Sequence, residues 1–521
     1  MTNDAQNVAA LGQLTGVNDP SIAYLAMEKA RELPRTLMGG TTAMREAGPK
    51  FLPQEPAEST QAYQIRLSRT VLYNAYKKAV TDLTGKVFSK PVHCNKDTPD
   101  DIKAWCKNID LAGRDLHTFA HDAFLEACAM GVSYVLVDFP RLTVGRTLDE
   151  ERKVGARPYC VFYQAKDVIG WKSDRINGVD SLTQVRLKES SIIADGEYKE
   201  KIVKRVRVLQ IADINGEQHC TFTVHEQQKG RDGREIWMVI PALSGVMSID
   251  FIPVVPIYTN RTGFMTGTPP LIDLADLTAL HWRSSSDQEN ILHFTRFPLL
   301  FGKCLRDDDS AIEIGPSRMI QATSDKADLK FVEHGGASIK AGKTALDDLE
   351  VQMNRMAMEP TVIGKAGTVT ATEKAIDTSE AHSTLQSWAL LLAGALDTIL
   401  AYMGAWVGKK PQECGGVNVS TDYGMFLSGM DLPQLVQAFQ SGLLSRETVW
   451  GELQRRGQLS DDFDPVEETH NLEKQQRQSP GPVGAGTLAA KILAGGTRPP
   501  DNGGPTLLNR PGAGLPGTPG I

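Results

Sequence analysis

Apolar residues recur at helical spacing over roughly the first 130 positions and again after about position 265, while the stretch between them follows the two-residue period of strands. Residues 115–130 read as the last N-terminal helix, closed by Gly131 and followed by the apolar run Val132-Ser-Tyr-Val-Leu-Val-Asp138 as a strand. From about 158 to 260 alternation dominates, as in Val206-Arg-Val-Leu-Gln-Ile211 and Thr221-Phe-Thr-Val224. Asn177-Gly178, Asn215-Gly216 and Asp232-Gly233 are hairpin-turn dipeptides, so an antiparallel sheet is expected there. Helices segregated at both ends of a sheet make an α+β chain.

Thr268-Pro-Pro270 supplies a cap with proline in the first turn, opening a helix that ends at Pro298. Its later part, Arg283-Ser-Ser-Ser-Asp-Gln-Glu-Asn290, is polar, as suits a helix lining a wet channel and equally any solvated helix. A second helix carries Leu346, Leu349, Met353 and Met356, and a third carries Leu385, Trp388, Leu392, Ala395, Ile399, Met403 and Trp406. Between these two, residues 359–373 form a loop in which Pro360 halts the helix and Gly364 and Gly367 leave the backbone pliable. Val417-Asn-Val-Ser420 suggests a short strand. Asp431 with Gln434, Ser445, and Asp464-Pro465 open three further helices. From Ser479 onward 19 of the last 43 residues are glycine or proline, a composition that cannot sustain a packed core, and a disordered tail is expected.

Leu37-Met-Gly-Gly40, Ala47-Gly-Pro-Lys-Phe-Leu-Pro53, the stretch Tyr63-Gln-Ile-Arg-Leu-Ser-Arg-Thr-Val-Leu-Tyr-Asn-Ala-Tyr76 and Leu83-Thr-Gly-Lys-Val-Phe-Ser-Lys-Pro91 follow one another in this order. With the helix, insertion, helix, loop and long helix downstream, this pattern resembles the portal proteins of tailed bacteriophages over roughly residues 35–475. The resemblance implies an α+β portal fold. Its parts would be an N-terminal wing, helical and then β (residues 1–265), a stem helix (266–298), a small clip (299–336), a second stem helix (337–359) and a tunnel loop (360–374). A long helix and wing return (375–428), a helical crown (429–478) and the tail (479–521) would complete it.

The family's role would make the chain a ring subunit, usually one of a dodecamer, at one capsid vertex of the virion, assembled in the bacterial host cytoplasm. It would be a conduit for double-stranded DNA during packaging and ejection. Its partners would be the terminase large subunit, a head–tail adaptor and the major capsid and scaffolding proteins, with no membrane, no cofactor and no catalysis of its own. Lys365, Thr368, Thr370 and Thr372 of the tunnel loop, with Lys340 and Lys343 of the stem, would approach the DNA. Arg306, Asp307, Asp308 and Asp309 of the clip would dock motor and adaptor.

A chain of 521 residues exceeds one ordinary core, so two to four substructures are expected. The net charge of −7 argues against a protein that grips DNA by neutralising phosphates. For a conduit weak attraction is useful, because a wall that held each phosphate would brake translocation. The seven cysteines are scattered, odd in number and without a C-x-x-C pair, and read as reduced thiols of a cytosolic synthesis. No secretion signal is visible in the first thirty residues. Residues 388–408 are apolar enough to suggest a membrane span, but Asp397 near the middle would cost about 3 kcal/mol on insertion.

Three other patterns carry chemistry on paper. Ala337-Ser-Ile-Lys-Ala-Gly-Lys-Thr344 satisfies a relaxed phosphate-loop pattern after the strand-like Leu329-Lys-Phe-Val332 and would make an NTPase, yet no second strand ending in a magnesium-holding aspartate is apparent. His117 and His121 stand four apart on one helix face with Asp115, Asp122 and Glu126 nearby, which suits a metal-dependent nuclease or a structural face. The aromatics between Tyr63 and Tyr76 could stack on bases, but without a basic surround they read as core.

Deleting residues 480–521 is expected to leave the melting temperature unchanged, because a segment of this composition buries little. A fall of more than about 3 °C in a calorimetric scan would show that the tail packs.

Overall fold

The computed structural model describes residues 16–140, 155–176, 178–230, 234–296, 299–303, 326–332, 336–357, 371–421, 432–455, 458–459 and 463–478. The chain divides into two compact units, Met1–Tyr423 and Gly424–Ile521.

The first unit opens with helices α1 (Ile22–Met38), α2 (Gly40–Ala47), α3 (Thr60–Arg69) and α4 (Ala75–Val87). Their starts are set by side chains that take up free N–H groups. Ser21 accepts from Tyr24 N at 3.2 Å, Ser59 from Ala62 N at 3.2 Å and Asn74 from Lys77 N at 2.9 Å. A two-residue strand β1 (His93–Cys94) and helix α5 (Asp100–Cys106) lead to α6 (Leu116–Met130), capped by Asp115, which accepts from Thr118 N at 2.8 Å. Gly131 ends α6 in the left-handed region at φ +87°. The apolar faces of these helices, with Tyr76, Leu83, Phe119 and Phe124 almost wholly buried, form one core with the later helix α9.

Strand β2 (Val132–Asp138) is buried along its whole length. It is the centre of a three-stranded antiparallel sheet, flanked by β3 (Tyr159–Tyr163) and β10 (Val254–Tyr258). Its side chains alternate between two cores. Val135 and Val137 pack on the helices, whereas Val132, Tyr134 and Leu136 pack toward a second sheet. That sheet is an antiparallel meander of β4 (Val168–Ile176), β5 (Val179–Ala194), β6 (Glu200–Ile214), β7 (Glu217–Lys229) and β8 (Glu235–Val239), with the short β9 (Gly245–Val246) also on β7. Asn215 and Gly216 turn β6 into β7 with φ of +59° and +89°, the geometry for which Asn-Gly is selected. Arg207 on β6 ties the sheets together, with Nη1 2.7 Å from Asp138 and Nε 2.9 Å from Glu189.

After the small hairpin β11 (Arg261–Gly263) and β12 (Thr266–Gly267) come α7 (Ile272–Thr295), a hairpin of β13 (Leu299–Lys303) and β14 (Asp328–Val332), α8 (Ala337–Met356) and α9 (Ala371–Ala405). Helix α9 contains the one stretch among the described residues, Thr384–Ala405, long and apolar enough to cross a membrane. Its Leu385, Trp388, Leu392, Leu396, Ile399 and Met403 are instead buried in the helical core. Asp397 accepts from Val417 N at 2.7 Å, holding β15 (Val417–Asn418), which pairs antiparallel with β1. The second unit contains α10 (Leu432–Gln440), α11 (Arg446–Arg455) and α12 (Pro465–Gln478), the last two preceded by Ser445 and Asp464 accepting N–H groups as caps.

Three expectations need correction. The strand region makes two sheets, because β10 returns over a long sequence distance to pair with β2 and leaves the meander on its own. Helix α7 opens at Ile272 and not at Thr268, because Thr268 is held in the hairpin region, its N–H donating to Asn260 O at 3.2 Å and its hydroxyl accepting from Asn260 Nδ2 at 3.0 Å. Helix α9 begins at Ala371, so Thr372 lies in its first turn rather than in a loop reaching residue 374; Ala371, Glu373, Lys374 and Ala375 are strong helix formers.

A Cβ added at Gly131 would fall 2.2 Å from Thr268 O, a backbone atom that cannot rotate away, at a φ that already disfavours side chains. Gly131→Ala is therefore expected to cost about 3 kcal/mol in urea unfolding. A loss below about 1 kcal/mol would mean that this junction yields.

Candidate functional site: a projecting helix pair

Helices α7 and α8 run antiparallel, in a register that three contacts define. Thr278 Oγ1 lies 3.9 Å from Met353 Sδ, His281 Nε2 lies 3.3 Å from Glu350 Oε1, and Gln288 Nε2 donates to Ile339 O at 2.9 Å. Gly342 lets the Gln288 side chain lie across α8, since a Cβ there would meet Gln288 Oε1 at 2.2 Å.

The lower half of the pair is built into the core. Leu274, Ala275, Thr278, Ala279, Trp282 and Ser286 of α7 are buried, as are Leu349 and Met353 of α8. Beyond Ser286 on α7 and before Leu349 on α8, no described side chain is buried. The last nine residues of α7 therefore extend about 14 Å past the core, at 1.5 Å per residue. Hairpin β13–β14 connects the two helices at that end, with Phe301 half exposed and Lys330 Nζ 5.8 Å from its ring.

A buried guanidinium holds the base. Arg66 of α3, 4% exposed, donates to both carboxylate oxygens of Glu58 at 2.8 and 2.7 Å, to Pro53 O at 2.9 Å and to Ser286 Oγ at 3.3 Å. Thr70 Oγ1 donates to the same Ser286 hydroxyl at 2.9 Å and, through its carbonyl, receives Arg45. The Arg66 hydrogen bonds hold the Glu58 carboxyl below the usual carboxylate range. Tyr73, at the end of the same α3–α4 connection, sets its ring 5.1 Å from that of His281. The N-terminal helices thus grip α7 near the point where it leaves the core.

Of the residues singled out from sequence, Lys340 and Lys343 are exposed on the projecting half of α8, three apart and flanking the surface that meets α7. Thr372 lies in α9. Lys365, Thr368 and Thr370, and Arg306, Asp307, Asp308 and Asp309, lie outside the described residues, as does the tail from Ser479. Among the described residues the structure thus brings the two lysines together in one place. Arg66 and Ser286 were not picked out; the available signal was Arg66 at the i+3 position after Tyr63 and before Leu67, on what is otherwise the apolar face of a helix.

The other chemical patterns resolve into structure. Residues 337–344 are the first turns of α8, with Lys340 N donating to Gly336 O at 3.1 Å and Thr344 Oγ1 to Lys340 O at 3.0 Å. Past the first turn its N–H groups are spent inside the helix and cannot curl around a phosphate. His117 Nδ1 accepts from Val92 N at 3.1 Å, and Phe88 packs edge-on against both His117 and His121. Among the described residues no group of three or more His, Cys, Asp and Glu side chains could hold a metal ion. Tyr63 and Tyr76 are buried and donate to Leu52 O and Ala129 O, so they are core and not a base-stacking platform.

Arg66→Met removes one partner of a buried pair and leaves the Glu58 carboxylate charged with only the Glu55 N–H donating to it, at an expected cost of about 3 kcal/mol at pH 7. A depressed carboxylate stabilises the fold above its unfolded pKa and ceases to do so as pH falls through its folded value. The difference in urea midpoint between wild type and variant should therefore shrink below about pH 4. A difference that stays constant down to pH 3 would assign the loss to packing.

A family model described as a domain of unknown function, DUF4055, matches residues 270–407, a span that holds both helices of the pair, the hairpin between them and α9. No curated protein matches the chain. Among solved structures the chain is similar to the neck of an empty GTA particle computed with C6 symmetry, at 12% identity over 77% of this chain and 89% of that one, with a TM-score of 0.37. It is also similar to the neck of a native GTA particle computed with C12 symmetry, at 12% identity over 74% of this chain and 87% of that one, with a TM-score of 0.34.

Proposed function

We propose that this chain is the subunit of a phage portal ring, a conduit for double-stranded DNA at one capsid vertex. The observation that carries the reading is the antiparallel pair α7–α8, clamped at its base by Arg66 and bare along its outer half, with a hairpin insertion at its tip. That arrangement fits a stem bearing a clip, in the order that the sequence resemblance implies.

In this reading the stem helices of neighbouring subunits line the channel. Leu280, Ile291 and Met356 on the pair and Leu390 and Leu391 on α9 are between 37% and 58% exposed, and a neighbouring copy would cover them. Such a contact is head-to-tail and closes into a ring when its rotation divides the circle. Lys340 and Lys343 give the wall a few cations among Asp347, Asp348, Asp287 and Glu289, so phosphates are met without being held. Terminase and adaptor would dock on residues 299–336, and Lys365, Thr368 and Thr370 would reach the duplex from the segment between α8 and α9. The chain itself performs no catalysis in this scheme.

Mass photometry of the purified protein tests the assignment. Twelve copies of the 56.8 kDa chain give a species near 680 kDa, and class averages by electron microscopy should show a ring with an axial hole. A monodisperse monomer or dimer at every salt and protein concentration would overturn the portal reading.

A further inference from the structure

The outer faces of α7 and α8 carry matching patterns of charge. Asp276, Leu280, Arg283 and Asp287 recur at steps of four, three and four residues and form one exposed stripe along α7. Thr344, Asp348, Val351 and Arg355 recur at the same steps along α8, with Val351 half-buried and the other three exposed. The contacts between the two helices fall elsewhere, at Thr278, His281 and Gln288 on α7 and at Ile339, Glu350 and Met353 on α8, so each stripe looks away from the partner helix. Among the described residues the pair makes two ion-pair contacts, His281 with Glu350 at 3.3 Å and Asp287 with Arg66 at 3.8 Å. Arg283 donates to Ala279 O of its own helix at 3.2 Å, and it shares with Asp276, Asp348 and Arg355 the lack of any oppositely charged partner among the described residues.

We propose that these two stripes are the seam between neighbouring copies of this chain, an inference that rests on the portal reading. Helix α7 of one copy packs against α8 of the next, so that Asp276 meets Arg355, Leu280 meets Val351, Arg283 meets Asp348 and Asp287 meets Thr344. The subunit itself supplies this register. Thr278 is level with Met353 and His281 with Glu350, and the same antiparallel register sets Asp276 level with Arg355 and Arg283 level with Asp348. Copies related by rotation about an axis stand at equal height, so groups level within one subunit are level across the seam when the pair runs along that axis. At each level the stripes then offer opposite charges, two apolar side chains, or a carboxylate and a hydroxyl.

The α7 stripe does not complement itself. Set antiparallel about its middle against a second α7, it would bring Asp276 onto Asp287 and Arg283 onto Leu280. That disfavours a two-fold dimer and suits the head-to-tail contact from which a ring closes.

Charge reversal in the full-length chain tests the seam. Arg283→Asp sets two carboxylates against each other at every seam, and Asp348→Arg sets two guanidinium groups against each other. Each variant alone should need at least about tenfold more protein than wild type to bring half its chains into rings, read by mass photometry. Mixed as monomers in equal amounts, the two should assemble at the wild-type concentration, because in a ring that alternates them every seam regains one acid and one base. A pair made within one chain would be mended only by the double variant and not by mixing, so a mixture that fails to assemble overturns the proposal. Asp276→Arg mixed with Arg355→Asp repeats the test two turns lower should either first variant misfold. Wild-type protein that forms no ring overturns the portal reading and this seam with it, whereas rings that survive each single reversal at the wild-type concentration overturn the seam alone.

Discussion

The direction of the projecting pair depends on the Arg66 guanidinium. It is buried, it carries charge, and its partners come from two loop positions, Pro53 and Glu58, and from Ser286 in the middle of α7. A buried cation tolerates little displacement, because each hydrogen bond lost leaves a group with neither water nor a partner. The clamp therefore acts as an angular constraint where an apolar contact would allow sliding. Below it, Trp282 and Met353 supply area; above it, the two helices have only one another.

The same economy appears deeper in the unit. Arg31 of α1, fully buried, donates through Nε to Met130 O at 2.9 Å and through Nη2 to Gly267 O at 2.8 Å. Met130 O belongs to the last turn of α6, where free carbonyls gather negative potential, so a cation is favoured there without a carboxylate. Burial pulls the Arg31 guanidinium pKa down, yet it starts so high that the charge survives. Two arginines on apolar helix faces thus connect the N-terminal helices to residues more than two hundred positions away.

Where local chemistry decides, the fold was legible in the sequence: the Asp115 cap, the Gly131 stop, the Asn215-Gly216 turn, and the caps at Ser445 and Asp464. Where non-local pairing decides, it was not. Alternation marks β10 as a strand but does not reveal that Val254–Tyr258 pairs with β2 (Val132–Asp138) instead of extending the meander. The start of α7 was misread because Thr268 had both a cap's chemistry and a better use beside Asn260. The phosphate-loop lookalike at residues 337–344 failed for a related reason, since its one internal glycine is spent on a helix contact with Gln288. At the candidate site, Lys340 and Lys343 were visible as charges on a helix, while the clamp beneath them was hidden in the habit of reading arginine as surface.

The pairing of β1 with β15 has a consequence for synthesis. Thr98 and Gly416 are 318 residues apart, Arg31 and Gly267 are 236 apart, and Arg66 and Ser286 are 220 apart. A ribosome that has delivered the N-terminal helices has delivered none of these distant partners, so Arg31 waits for residue 267, Arg66 for residue 286, and β1 stays an open edge until residues 416–418 are made. Contacts of such separation are slow to form and leave unpaired strand and apolar surface exposed in the interval. The last of these long-range contacts closes only when residues 416–418 arrive to pair with β1.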